Sequence, residues 1–303
     1  VLDWTVPKEW HLRSARLVID WHNFGADMLA LRLGRGHPAV RTAAAVERGF
    51  GRGAHAHLCV SDAMRVELAA RWHVPSAQVL RDRPAKQLGP TPLPVRRALF
   101  DRLGLCVDPG AAVRPAVIVT SSSWTADEDF APLLDAMVRC EAAIGARADL
   151  PDLLVVMTGD GPLRARWEAR IAALGLTRVR ARTLWLAAED YPLLLGSADL
   201  GLSFHRSASG VDLPMKISDM FGVGLPVCAL AYGPVLGELV VPGQNGLHFT
   251  TGGELAEQLC ALLAGFPAPN RRLDALRAGV ARTSSQGWAE GWRREASAVF
   301  RRP

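Results

Sequence analysis

Ser207-Ala-Ser-Gly-Val-Asp-Leu-Pro-Met-Lys-Ile-Ser-Asp-Met-Phe-Gly-Val-Gly-Leu-Pro-Val227 packs a loop, a helix and the start of a strand into one short stretch. The polar 207–212 segment reads as a loop. Pro214 suits the first turn of a helix, Gly222 and Gly224 close that helix, and Pro226 to Leu230 is an apolar strand. Lys216 therefore falls in the first helical turn, where the helix dipole is positive and a cation costs some tenths of a kcal/mol up to about 1. An anion beside it would offset that cost. A diphosphate resting on the N–H groups of Ser209, Gly210 and the helix start would serve, with Lys216 as its point-charge partner. Asp219, three residues on and on the same face, would accept hydrogen bonds from a ribose. The competing reading is a lysine that snorkels to solvent. Composition weighs against it, because Lys8, Lys86 and Lys216 are the only lysines in a chain that otherwise writes its cations as arginine.

Working outward, strands alternate with helices along the chain. Leu17-Val-Ile, Ala56 to Val60 and Gln78-Val-Leu80 read as short buried strands, separated by helical patterns near 27–34, 38–51 and 62–73. A second series has strands at Ala116 to Thr120, Leu153 to Thr158, Val179 to Leu184, Leu200 to Phe204 and Pro226 to Leu230, each followed by a helical stretch. Such alternation predicts parallel sheets with ligand crevices outside the carboxyl ends of the strands. The expected organisation is a first α/β domain over 1–104, a Gly/Pro/Ala-rich connection over 105–114, a second α/β domain over 115–283 and a terminal amphipathic helix within 284–303.

With 303 residues, 49% of them hydrophobic, the chain has enough apolar material for two cores and too much for disorder. A net charge of +5 suits an anionic ligand or an anionic membrane surface. The arginines are dispersed and no nucleic-acid-reading motif accompanies them, so nucleic acid is not an expected partner. The five cysteines form no Cys-x-x-Cys pair, which fits a reducing compartment, with Cys59 and Cys228 as small core residues. No signal peptide opens the chain, and no apolar run reaches the roughly 18 residues of a membrane span. No Gly-x-Gly-x-x-Gly follows any strand, which argues against a Rossmann dehydrogenase.

Other candidates lie at strand ends. Gly159-Asp-Gly161-Pro follows the strand ending at Thr158, so its glycines would let backbone approach a ligand, though as a bare pattern a plain strand-to-helix turn is the stronger reading. Trp185 could stack on a nucleobase, Ser123 could line the cleft, and His205 ends its strand on the crevice side. Asp127-Glu128-Asp129 could suggest a metal. Its place just before a helix with Pro132 in the first turn instead predicts capping acids, and no metal is expected there. His55 and His57 alternate on a strand without further ligands and read as structural.

Several runs carry a resemblance to a known family. They are Leu17-Val-Ile-Asp-Trp-His-Asn-Phe-Gly25, Leu58-Cys-Val60 with Ala63-Met-Arg65, Ser122-Ser-Trp-Thr125 with Asp127-Glu-Asp-Phe130, Thr158-Gly-Asp-Gly-Pro-Leu-Arg164, Thr183 to His205, and Ser209-Gly-Val-Asp-Leu-Pro-Met-Lys216 with Asp219-Met-Phe-Gly. In collinear order from Leu17 to the C-terminus, the chain resembles the chitobiosyldiphosphodolichol β-mannosyltransferases.

The resemblance implies an α/β fold of the GT-B type, two Rossmann-like domains with a C-terminal helix crossing back to the first. It implies GDP-mannose as donor and a GlcNAc₂-diphosphate-dolichol lipid as acceptor, at the cytosolic face of the endoplasmic reticulum membrane. Other mannosyltransferases of that pathway become candidate partners. No cofactor is required by such a fold, and stimulation by a divalent cation stays open. An α-linked donor giving a β-linked product implies direct displacement, with a general base on the acceptor hydroxyl. Asp20, His22 and Asp212 are the candidates; position alone makes His22 a buried, hydrogen-bonded histidine by default, and it is the resemblance that makes it the preferred first-domain residue.

The sequence also departs from the pattern. Of two glutamates commonly eight positions apart in GT-B enzymes, the second place holds Asp219 and the first Val211, with Asp212 adjacent. The Arg and Lys that related enzymes carry near Ser121 to Trp124 are missing. Val1 to Arg16 does not read like the family's anchor and first Rossmann elements, so the chain reads as a fragment. Another GT-B enzyme with a different acceptor, or a catalytically inactive nucleotide-binding module, remains the alternative.

Overall fold

A computed structural model describes residues 16–125, 128–207 and 209–300 of the chain. The first unit is a three-stranded parallel sheet of β1 (Val18–Trp21), β2 (Ala56–Cys59) and β3 (Gln78–Val79), in that order. Helices α1 (Gly25–Leu33) and α2 (Pro38–Arg52) link β1 to β2, and α3 (Asp62–Arg71) links β2 to β3. Ser61 caps the start of α3, its hydroxyl accepting from the Met64 N–H at 3.0 Å. Phe24, Met64, Leu68 and Trp72 are fully buried around β1. Burial of side chains this size stabilises by about 1.5–3 kcal/mol each, so this small sheet has a core of its own.

The second unit is a six-stranded parallel sheet in the order β6-β5-β4-β7-β8-β9. Its strands are β4 (Ala116–Ser121), β5 (Leu153–Thr158), β6 (Val179–Leu184), β7 (Leu200–Ser203), β8 (Val227–Leu230) and β9 (Gly246–Phe249). Alternate residues of β4 feed the two faces: Ala116 and Ile118 join one apolar cluster, Val117 and Val119 the other. A strand covered on both faces must be apolar throughout, which is why Ala116 to Thr120 reads as an unbroken hydrophobic run. The chain order reverses at β4 and β7, so their carboxyl ends open a crevice there.

Two expectations need correction. Residues 93–102, assigned to the first domain, form helix α4 (Leu93–Arg102), and its Leu99 and Phe100 are buried with Val117, Val119 and Leu225. By packing, α4 belongs to the second sheet, and the changeover precedes it. Strand β9 went unread because Gly246-Leu-His-Phe is short and carries a glycine and a histidine. The remaining helices that matter are α5 (Ala131–Ala146), α7 (Asp190–Leu195) and α8 (Met215–Gly222).

The helical segment 288–300 returns to the first sheet. Ala296 is buried against Leu58 and Leu80, with Trp292 and Val299 partly buried beside them, while Trp288 stays exposed. Of these two tryptophans only Trp292 packs against the first sheet. No helix among the described residues is long and apolar enough to cross a membrane.

Candidate active site at the strand ends

The carboxyl ends of β4, β5 and β6 and the start of α8 enclose a cavity of about 400 Å³. Ser121, Ser122 and Ser123 form one wall, Thr158 and Gly159 the floor, Trp185 to Ala188 and Tyr191 another wall, and Lys216 with Asp219 the side facing α8. A recess of about 800 Å³ runs along α2, and another of about 910 Å³ lies near Arg114 and Phe266. Neither gathers strand ends and a helix start, so the smaller cavity is the better candidate.

Lys216 occupies the first turn of α8, with its side chain 21% exposed. Its ammonium donates to Glu128, whose side chain is 2% exposed. This corrects the reading of the acidic cluster as a helix cap. Asp129 lies just ahead of α5, accepting from the Ala131 N–H at 3.0 Å, and pairs with Arg206 at 3.1 Å. Glu128 instead turns inward, and Asp127 lies outside the described residues. The second Glu128 oxygen accepts from Ser122 Oγ at 2.6 Å, the Ser123 N–H at 2.9 Å and the Trp124 N–H at 3.0 Å. Sequence reasoning missed Glu128 because it asked which ligand would offset Lys216 and did not ask which protein carboxylate could.

Asp219 faces the cavity and accepts from the Tyr191 hydroxyl at 3.3 Å. Burial raises its pKa, opposed by that hydrogen bond. Burial also pushes the Tyr191 phenol up to about 12, so it acts as a donor throughout the working range. Trp185 is 71% exposed at the cavity rim, its indole available as a stacking face.

The two glycines act differently from the expectation that they make room for a ligand. Gly159 has φ +113°, and a Cβ there would lie 1.8 Å from the Ser122 carbonyl oxygen. At Gly161 it would lie 1.9 Å from that of Ser123. Both admit the serine loop, and Gly159 also lines the cavity. The buried Trp124 locks this packing, its indole donating to the Gly159 carbonyl at 3.0 Å.

The 207–212 loop is organised around Asp212. That buried carboxylate accepts from His205 Nε2 at 3.1 Å, from Ser209 Oγ at 2.8 Å and from Ser207 Oγ. Burial works to raise its pKa, but these three donors together hold it below the usual carboxylate range. The Gly210 N–H, expected at a phosphate, donates to Ser207 Oγ at 2.7 Å, and Gly210 itself sits at φ +78°. Ser209, Gly210, His205 and Asp212 thus form one loop-shaping network in this structure.

That loop also touches the first unit. Ser61 Oγ donates to the Val211 carbonyl at 2.8 Å, and Glu238 accepts from the N–H groups of Asp62 and Ala63 at 2.7 and 2.8 Å. On the same carboxyl-end side of the first sheet, His22 Nε2 lies 3.2 Å from Asp20 and Nδ1 lies 4.0 Å from Asp82. The hydrogen bond to Asp20 raises the imidazole pKa, against partial burial, with both carboxylates adding attraction. Asp82 is a second missed residue; it stands three positions past β3, at the same sheet edge. His57 accepts from the Trp21 indole at 3.1 Å and His55 from the Leu17 N–H at 2.9 Å. Among the described residues, no group of three or more His, Cys, Asp or Glu side chains is poised to hold a metal.

No protein-family model matches the chain. It is 42% identical over 92% of its length to the UDP-glycosyltransferase TURAN of Arabidopsis thaliana, covering 70% of that protein. It is 43% identical to the chitobiosyldiphosphodolichol beta-mannosyltransferase of Mus musculus and 41% identical to that of Homo sapiens, covering 63% and 66% of them. The chain thus spans about two thirds of the length of these relatives. Among solved structures it is similar to Anabaena HepE in complex with UDP and glucose, with TM-score 0.70, 19% identity, and coverage of 94% of this chain and 71% of that one. It is also similar to WaaG, a glycosyltransferase involved in lipopolysaccharide biosynthesis, with TM-score 0.67, 15% identity, and coverage of 94% and 78%. These two likenesses concern the fold, which is the two-Rossmann-domain GT-B arrangement. By its sequence relatives, the chain belongs to the glycosyltransferase family that contains TURAN and the chitobiosyldiphosphodolichol beta-mannosyltransferases.

Proposed function

We propose that this chain transfers mannose from GDP-mannose to a chitobiosyl-diphosphodolichol acceptor, with inversion at the sugar carbon. One observation carries the donor assignment: Lys216, on the first turn of α8, lines the same cavity as Asp219, Ser123 and the exposed face of Trp185. Lys216 takes the diphosphate, Asp219 the ribose and Trp185 the base, with Gly159 and the Ser121–Ser123 wall closing the floor. Developing charge on departing GDP is stabilised by Lys216 and the start of α8. His22, aligned by Asp20, takes the proton from the attacking acceptor hydroxyl. Asp212 with His205, Ser209 and Gly210 shapes the loop that leads into α8.

The relatives' names support the dolichol-linked acceptor; a position at the cytosolic face of the endoplasmic reticulum membrane, with other mannosyltransferases of that pathway as candidate partners, completes the proposal. A net charge of +5 favours an anionic membrane surface. The domain scheme is retained as a proposal with α4 moved to the donor-binding unit. Because one relative is named a UDP-glycosyltransferase, the nucleotide is part of the test. GDP-mannose and UDP-sugars are each supplied with a short-chain chitobiosyl-diphosphate lipid, using wild type and Lys216→Ala. Mannose transfer from GDP-mannose alone, with loss of GDP affinity in the variant, is expected. Transfer only from a UDP-sugar, or unchanged GDP binding by the variant, refutes the reading.

A further inference from the structure

Glu128 has no role in the function proposed above, yet it is the anion that Lys216 holds. Its carboxylate is 3% exposed overall and both oxygens are engaged, one by the ammonium and the other by Ser122 Oγ and the N–H groups of Ser123 and Trp124. Those three donors fix the carboxylate on Ser122, Ser123 and Trp124, so it sits buried beside the serine wall of the cavity. Lys216, which lines that cavity, therefore has its charge already neutralised by a carboxylate next to the wall that a nucleoside diphosphate would face. An ammonium has three N–H donors, so it can hold Glu128 and a phosphate oxygen together. Two anions sharing one cation in a half-closed cavity still repel each other.

Resting on the donor reading above, we propose that Glu128 is a positioning residue whose carboxylate competes with the donor diphosphate for Lys216. In the empty site it holds the ammonium extended. When a nucleoside diphosphate enters, the ammonium turns toward the phosphates, and on release the carboxylate recaptures it. The competition weakens the grip on GDP after transfer and so favours release of product. Removing the charge of Glu128 leaves the empty site with an uncompensated ammonium that only the ligand can satisfy. GDP must then bind more tightly, the reverse of what a damaged pocket gives.

The test is GDP binding by calorimetry to wild type, Lys216→Ala, Glu128→Gln and the double variant, with a thermal-melting profile of each. Lys216→Ala is expected to lose about tenfold or more in affinity, and Glu128→Gln to gain about threefold to tenfold. The double variant is expected to bind more tightly than Lys216→Ala alone, because it no longer presents an unpaired buried carboxylate to the phosphates. Glu128→Asp keeps the loop acceptor but draws the charge back by one methylene. It is expected to shift affinity in the same direction by a smaller factor, and it decides the matter if Glu128→Gln does not fold. A folded Glu128→Gln or Glu128→Asp that binds GDP more weakly than wild type overturns the proposal, as does a double variant no tighter than Lys216→Ala. Wild-type GDP affinity in Lys216→Ala would instead refute the donor reading itself.

Discussion

Arg83, just past β3, and Glu295, in the returning segment 288–300, are joined by two parallel hydrogen bonds of 3.1 and 2.6 Å between side chains only 9% and 13% exposed. This fork couples residues 212 positions apart in sequence and holds the end of the chain on the first sheet. Burial alone would raise the Glu295 pKa, but Arg83 and Arg294 outweigh it and bring it down to about 2.

The sign of the resulting pH dependence is fixed. A carboxylate whose folded-state pKa lies below its ordinary 4.5 stabilises the fold fully above that value and loses the contribution as pH falls toward about 2. The shift corresponds to about 3 kcal/mol as an order of magnitude. Urea denaturation from pH 6 down to pH 3 should show wild type losing stability that Glu295→Gln has already lost. Arg83→Ala, which leaves Glu295 only the more exposed Arg294, should cost about 1–3 kcal/mol and expose segment 288–300 to protease.

Trp185 tests the base subsite. Trp185→Ala should weaken GDP by about 1–3 kcal/mol, the usual worth of stacking a base on an aromatic face, while Trp185→Phe keeps most of it. Because the side chain is exposed, melting temperature should not move. Calorimetry with a melting control separates the two effects.

Gly159→Ala probes the cavity floor. Its Cβ would overlap the Ser122 carbonyl at a backbone angle that L-residues rarely adopt, so the serine loop must move. A stability loss of about 2 kcal/mol or more is expected in urea, together with weaker donor binding. Wild-type stability with normal donor KM would show that the loop does not depend on this packing.

With His22 as the proposed base, the acidic limb of the rate profile is expected to report its titration. The nearby Asp20 carboxylate raises its pKa above 6.5, so the imidazole is protonated, and useless as a base, up to a higher pH than usual. Then kcat/KM should fall as pH drops through that raised value. Asp20→Asn should move the limb to lower pH, and His22→Ala should abolish it. A limb unmoved by either substitution would exclude His22 as the base.

The parallel β/α architecture was legible because a strand buried on both faces leaves an uninterrupted apolar run, as in Leu153 to Thr158. The cavity at the start of α8 was legible through Lys216, which stands against the helix dipole. What escaped had a common cause. Glu128, Asp82 and the packing of α4 depend on partners 88 positions away or on a different element, and local periodicity carries no trace of them. Gly159 and Gly161 were singled out as glycines that admit something close, but what they admit is the protein's own backbone.

The Ser61 hydroxyl on the Val211 carbonyl ties the first lobe to a strap that runs without interruption into α8. Any displacement of the first unit relative to the second must therefore carry this strap along or break the contact. Glu238 makes a second tie through the N–H groups of Asp62 and Ala63, so Ser61→Ala should free the strap while leaving the two units joined.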